Sequence, residues 1–253
     1  QLELGLLGEL NDAAFIEQNG YIKWVGSAKE APDADQRVSL EGKAVIPGFV
    51  DSHAHLLFAG DREKEFAARM NGEQYSSGGI MNTVRATRAA TDEELDAGIA
   101  DRAIEMYRSG ITTFETKSGY GLTVQDEARS LAIAIEHTED VTFLGAHVIP
   151  AEYKDNPDGY VDLVTGEMLE ACLPVSKWID VFCDRGAFTT EQSRRILEAG
   201  IKKGLHPRIH LNQLEQGDGV AMAIELDCAS ADHLTYLTDD DISALAASST
   251  VAG

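Results

Sequence analysis

Two histidines separated by one residue, in Asp51-Ser52-His53-Ala54-His55, follow an apolar stretch that reads as a short strand over residues 49–52. Residues i and i+2 of an extended chain project to one side, so His53 and His55 can present both imidazoles to one cation. A complete site needs ligands from elsewhere, and such a pair alone can equally be two polar residues opening a loop. Other histidines fall at the ends of later strands: His147 after 141–145, His210 after Arg208-Ile209, and His233 after Ser230-Ala231-Asp232. Any one of them is more often a hydrogen-bonded structural histidine, but four strands each ending in His is harder to dismiss. His137, at a helix end among acids, and His206, before Pro207, read as structural. Arg62, in the loop beyond the histidine pair, could clamp a substrate carboxylate with two parallel hydrogen bonds, or pair with Asp61 or Glu65 on the surface. In Lys117-Ser118-Gly119-Tyr120-Gly121 the glycines allow backbone to approach a ligand or simply to make a tight turn, and Tyr120 supplies a hydroxyl. Tyr75, in a Gly- and Ser-rich stretch, reads on its own as a loop-packing residue.

The elements that must position these groups fall into two regimes. Residues 13–18 and 21–25 are apolar-rich runs around Asn19-Gly20, a strong hairpin signal. With short strands expected at 38–40 and 43–46, residues 1–46 read as a small antiparallel sheet, too small to stand alone. From Pro47 the pattern alternates strand and helix. Helices are expected at 93–109, 124–137, 160–172, 190–203 (with Thr189 as cap and Gly204 as stop), 219–226 and 239–247. Strands are expected near 50, 113, 143, 180, 208, 231 and 250. Seven strands alternating with helices imply a parallel sheet with right-handed crossovers. An eight-stranded barrel, in which strand C-termini share one active rim, fits better than a doubly wound sheet, because no GxGxxG turn follows the first strand. A barrel of this kind stops in its seventh strand.

Composition narrows the function. Of 253 residues, 43 are acidic and 21 basic, giving a net charge of −22, which argues against nucleic acid as a partner. No apolar run reaches the ~20 residues of a membrane helix, and no basic start with an apolar core marks a leader. Cys172, Cys183 and Cys228 lack a CxxC spacing and read as reduced thiols in a cytoplasmic protein.

The stretch VIPGFVDSHAHLLFAGDR (45–62) resembles the opening of a metal-dependent amidohydrolase barrel. With GGIMNTVRATRAA (78–90), TTFETKSGYGL (112–122), FLGAHVIPAEY (143–153), DVFCDRGAF (180–188), HLNQL (210–214) and SADHLTYL (230–237), the chain is most similar to the imidazolonepropionase branch of that superfamily. The resemblance implies a TIM-like (β/α)8 barrel over residues 47–253, truncated in its seventh strand, behind part of a small β-sandwich domain at 1–46. It implies zinc or iron, one per chain, held by His53, His55 and His210, with a further Asp ligand from an eighth strand. Asp239, Asp240 and Asp241 look like a helix start and are poor substitutes. It further implies substrate contacts from Arg62, Tyr75, Tyr120 and His147, and catalytic roles for His233 and Gln213, although Gln213 stands where many relatives carry Glu. The implied reaction is hydrolysis of 4-imidazolone-5-propanoate to N-formimidoyl-L-glutamate, with a carboxylate-bearing small molecule as the partner and a homodimer for the full-length protein. A cyclic amidase, a deaminase or a non-catalytic binding fragment are the alternatives.

Overall fold

A computed structural model describes residues 7–61, 63–71 and 78–253. Contacts divide the chain into two units, 1–47 and 48–253.

In the first unit β1 (Ala13–Gln18) and β2 (Tyr21–Ser27) pair antiparallel. The turn between them has φ of 55° at Asn19 and 80° at Gly20. Two successive left-handed residues match the twist of the flanking strands, and this is why Asn-Gly is favoured there. The strands expected at 38–40 and 43–46 do not form. Val38, Leu40, Val45 and Ile46 are exposed, and the segment makes only a turn in which Lys43 N–H donates to Leu40 O at 3.0 Å. These residues have strand propensity but no partner strand among the described residues, and β-propensity acts mainly through such partners. The expected small sheet is therefore a single hairpin.

The second unit alternates strand and helix. In chain order it contains β3 (Phe49–Asp51), α1 (Glu63–Met70), α2 (Gly78–Ala89), α3 (Asp92–Arg108), β4 (Ile111–Phe114), β5 (Thr116–Lys117), α4 (Val124–Ala134) and β6 (Val141–Ala146). Then come α5 (Pro157–Leu163), α6 (Leu169–Cys172), β7 (Trp178–Cys183), α7 (Thr190–Lys202), β8 (His206–Leu211), α8 (Gly219–Glu225), β9 (Ser230–His233), α9 (Asp239–Ala246) and β10 (Val251–Ala252). All pairings in this unit are parallel, in the orders β3-β4 and β5-β6-β7-β8-β9-β10. Glu115 alone separates β4 from β5, where the chain changes partner. Glu115 N–H donates to Asp51 O at 2.9 Å and Thr116 N–H to Asp140 O at 3.0 Å. The two sheets thus form one run of seven strand positions, matching the seven expected. The run curls, because β3, β4 and β9 all line the same cleft of about 680 Å³, together with Gly253.

Helix ends follow local chemistry. Thr91, Thr189 and Thr238 each close a capping box, with Glu94, Gln192 and Asp241 as the reciprocal partners, an arrangement that satisfies two otherwise orphaned amides. The Thr189 cap was expected. Asp239, Asp240 and Asp241 form the first turn of α9, as expected of a helix start. The expected helix at 160–172 is interrupted: five residues from Val164 to Met168 make a π turn between α5 and α6, with Gly166 outside helical geometry. The core lies between sheet and helices. Strands β6, β7 and β8 are buried along nearly their whole length, and Leu95, Ile99, Leu131, Ile196 and Leu197 seal them from outside. Continuous apolar strands are what a parallel sheet covered on both faces requires.

Candidate metal centre

Four histidines converge where the strands end. His53 and His55 follow β3, His210 lies near the end of β8, and His233 ends β9. His55 Nε2 is 3.2 Å from His210 Nε2. One ligand atom each from His53, His210 and His233 lies within 4.8 Å of the others. Ring centroids of His53 and His210 are 4.4 Å apart, those of His53 and His233 5.3 Å, and those of His210 and His233 5.2 Å. The sequence expectation of His53, His55 and His210 is thus brought together, and His233 joins it as a fourth candidate donor.

Several contacts fix this arrangement. His53 N–H donates to Asp51 Oδ1, Ala54 N–H to Glu115 Oε2 and Leu56 N–H to Thr116 Oγ1, each at 3.1 Å. Arg208, stacked over the Trp178 ring at 3.9 Å, donates from NH1 to Ser52 O at 2.7 Å. At the other side His233 and Leu234 have φ of 80° and 45°. A left-handed non-glycine residue costs about 1–3 kcal/mol and persists only where surrounding structure over-determines it. Here Leu234 N–H donates to Leu211 O at 3.2 Å and Tyr236 N–H to Asn212 O at 3.1 Å.

The donor set suits a cation. Burial holds the His55 and His210 imidazoles below their ordinary pKa, aided by neighbouring positive groups; Asp180 opposes this only in part at His210. Burial, with His210 and His53 nearby, lowers His233 to about 4. These rings are therefore neutral near pH 7, the state in which imidazole binds metal. His210 Nδ1 donates to Asp180 Oδ1 at 3.0 Å, which leaves its Nε2 lone pair facing His55. His53 Nδ1 lies 3.3 Å from Asp232 Oδ2. A carboxylate behind a ligating imidazole is the usual support of a metal site. Two nitrogens each about 2.1 Å from a tetrahedral cation stand about 3.4 Å apart, and the His55–His210 separation of 3.2 Å is close to this spacing. Among the described residues, the buried Nδ1 of His55 has no hydrogen-bond partner.

Beside the histidines lies a second group. Tyr120 and His147 are buried, with ring centroids 5.1 Å apart, and His147 stacks on His55 at 5.3 Å. His147 Nδ1 meets Gly119 O at 3.0 Å. Gly119 has φ of 108°, and a Cβ there would sit 2.9 Å from Leu144 O and 3.1 Å from His147 Nδ1, so only glycine suits the position. The expected cluster of Tyr120 and His147 near the metal ligands is thus present. Gln213 sits three residues past His210. Its N–H donates to Asp184 Oδ2 at 2.7 Å, and among the described residues no hydrogen bond ties its side chain to the histidines. Arg62 and Tyr75 lie outside the described residues.

Sequence reasoning missed the carboxylates behind the histidines, Asp180 and Asp232, and the buried Glu115, Lys117 and Glu127. A signal existed for three of them. Asp180 interrupts the apolar strand Trp178–Cys183, and Glu115 and Lys117 are the charged residues of the stretch 111–117, which is otherwise uncharged. An isolated charge inside a buried strand needs a partner, so such residues point at one another.

A curled parallel sheet with histidines gathered at its strand ends is an architecture suited to holding a metal ion. The chain belongs to the amidohydrolase family, whose profile matches residues 44–251. Within that family it is 60% identical over 97% of its length to the imidazolonepropionase of Streptomyces coelicolor, of which it covers 63%. It is 59% identical over 99% of its length to the imidazolonepropionase of Mycolicibacterium smegmatis, again covering 63%. The chain therefore spans about three fifths of the curated relatives it matches. Among solved structures, guanine deaminase from C. acetobutylicum shares the fold, with a TM-score of 0.63 and 14% identity over 95% of this chain and 62% of that one. Among the described residues, no helix is long and apolar enough to cross a membrane.

Proposed function

We propose that the protein hydrolyses the ring C–N bond of 4-imidazolone-5-propanoate, giving N-formimidoyl-L-glutamate. The observation that carries this reading is the 60% identity over 97% of the chain to a protein named for that reaction, and the histidine cluster supports it. His53, His55 and His210 would hold a zinc or iron cation, with His233 beside them. Zinc and iron both suit such donors. A bound cation supplies Lewis acidity and makes hydroxide available near neutral pH. The protein's own groups orient the ring. His147, fixed through Nδ1 by the Gly119 carbonyl, is assigned one face of the substrate with Tyr120. Arg62 and Tyr75 are assigned its carboxylate, and His233 and Gln213 the protons of the scissile bond. The finer architecture belongs to the same reading: an eight-stranded barrel to which these residues contribute seven positions, with part of a small β-domain at the N-terminus. It rests on β3 and β9, which border one open cleft rather than each other.

The test is turnover of the metal-loaded protein on 4-imidazolone-5-propanoate, alongside cyclic amides and aminopurines. Preferential hydrolysis of the imidazolone supports the reading. Preference for an aminopurine would replace it with a deaminase.

A further inference from the structure

Lys117 is fully buried, and its ammonium lies between two buried carboxylates, 2.8 Å from Glu115 Oε1 and 3.1 Å from Asp180 Oδ2. Buried ion pairs are weak devices for stability, since apolar residues of similar volume often serve as well. The geometry beyond the pairs shows what this one does. Glu115 turns its other oxygen, Oε2, to the N–H of Ala54, the residue between His53 and His55. Asp180 turns its other oxygen, Oδ1, to Nδ1 of His210. Both output lines therefore end on segments that carry candidate ligands, and those segments are 155 residues apart in sequence. No strand ladder joins them directly, because β3 pairs with β4 while β8 pairs with β7 and β9.

We propose that Lys117 is a positioning residue for the metal centre, a buried cross-link that sets the distance between the His53–His55 turn and His210. This rests on the reading of the histidine cluster as a metal site. Glu115 and Lys117 stand at i and i+2, so they share one face, and Asp180 reaches the same point from β7. Thr142 Oγ1 also donates to Glu115 Oε1 and helps to hold that carboxylate. Arg208 provides a partial parallel link, donating to Ser52 O while lying 3.9 Å from Glu115 Oε1. Loss of Lys117 should therefore loosen the site without dismantling it.

The experiment titrates apoprotein with Co2+ against a chelator and records the visible Co2+ spectrum and the thermal midpoint of the apo form. Three variants are compared with wild type. Lys117→Met removes the cross-link. Lys117→Met with Glu115→Gln does so while leaving one buried charge fewer and an oxygen for Ala54 N–H, and so serves if the single variant does not fold. Leu245→Ala, in the core on α9, reports general destabilisation. Removing support behind metal ligands costs about 10–100-fold in affinity. The expected result is a Co2+ affinity lowered by that factor with an altered spectrum in the Lys117 variants, and an unchanged affinity in Leu245→Ala. Co2+ affinity within twofold of wild type and an unchanged spectrum in a folded Lys117 variant would overturn the proposal. Failure of wild type itself to bind one equivalent would overturn the metal reading and the proposal with it.

Discussion

Glu127 offers the most direct test of how the loop beside the histidines is held. Its carboxylate is fully buried near the start of α4 and accepts three loop amides: Gly121 and Leu122 at Oε1, 2.8 and 2.7 Å away, and Gly119 at Oε2, 2.9 Å away. Burial raises its pKa, while these amides and Ser118 favour the charged form. In Glu127→Gln the amide oxygen can keep the Gly121 and Leu122 bonds, but its NH2 then faces Gly119 N–H, donor against donor. A buried donor left unsatisfied costs about 1–3 kcal/mol. Relief from burying a charge offsets part of that, so a net loss of about 1–2 kcal/mol is expected. For a chain of this size that lowers Tm by about 2–8 °C. The effect should be local: hydrogen exchange should accelerate at Gly119, Gly121 and Leu122 before it does in β6 or β7. Because Gly119 O holds His147 Nδ1, KM for the imidazolone should rise by about tenfold, the equivalent of one lost hydrogen bond. An unchanged Tm with unchanged exchange at these three amides would refute the reasoning.

Three further outcomes follow from the site. His53→Ala with His55→Ala should abolish stoichiometric zinc or iron by elemental analysis, and full retention of metal would show that other groups hold it. Arg62→Met should raise KM for imidazolonepropionate far more than for an analogue without the carboxylate, because a charge-assisted contact is lost; equal effects would make Arg62 structural. The metal-free protein should lose stability as pH falls from about 6.5 towards 4. Burial depresses the pKa of His55, His210 and His233 in the fold, so over this range the unfolded chain binds protons that the folded one refuses. Urea midpoints that stay level across that range would count against neutral buried imidazoles.

The alternating part of the fold was legible because its signals are local and agree with one another. Strand β8 spans His206–Leu211 and β9 spans Ser230–His233, both as expected from short apolar runs between helices. Helix α7 begins at Thr190 behind the Thr189 cap, and Gly204 takes φ of 89° just past its end. Two helices were not expected. α1 and α2 follow the histidine motif, and α2 opens on Gly78-Gly79, residues disfavoured inside a helix. Its buried Ile80 and Val84 do keep helical spacing, but flanking glycine and serine read as loop. The strands expected at 38–40 and 43–46 failed for the opposite reason: propensity was present and, among the described residues, a partner was not.

For the site, the sequence could single out the histidines but not what steers them. A histidine at a strand end announces itself by type and place, which is why His53, His55, His210, His233 and His147 could all be singled out. The charged groups that contact those rings or the segments carrying them are Asp180, Glu115, Lys117 and Glu127, each of an ordinary surface type and each buried here. Their roles depend on contacts across 5 to 61 residues of chain, which no local pattern encodes. The chemistry also constrains them as a set. Asp180 is held well below the usual carboxylate range despite its burial, because His210 and Lys117 face it. A carboxylate that stays charged there keeps the His210 proton on Nδ1 and leaves Nε2 as the lone pair facing His55. Exchange of Asp180 for a neutral group would therefore change which nitrogen faces the centre as well as how firmly the ring is held. That coupling ties the buried charges to the donor chemistry, and it explains why polar residues occupy a sheet interior that apolar ones could have filled.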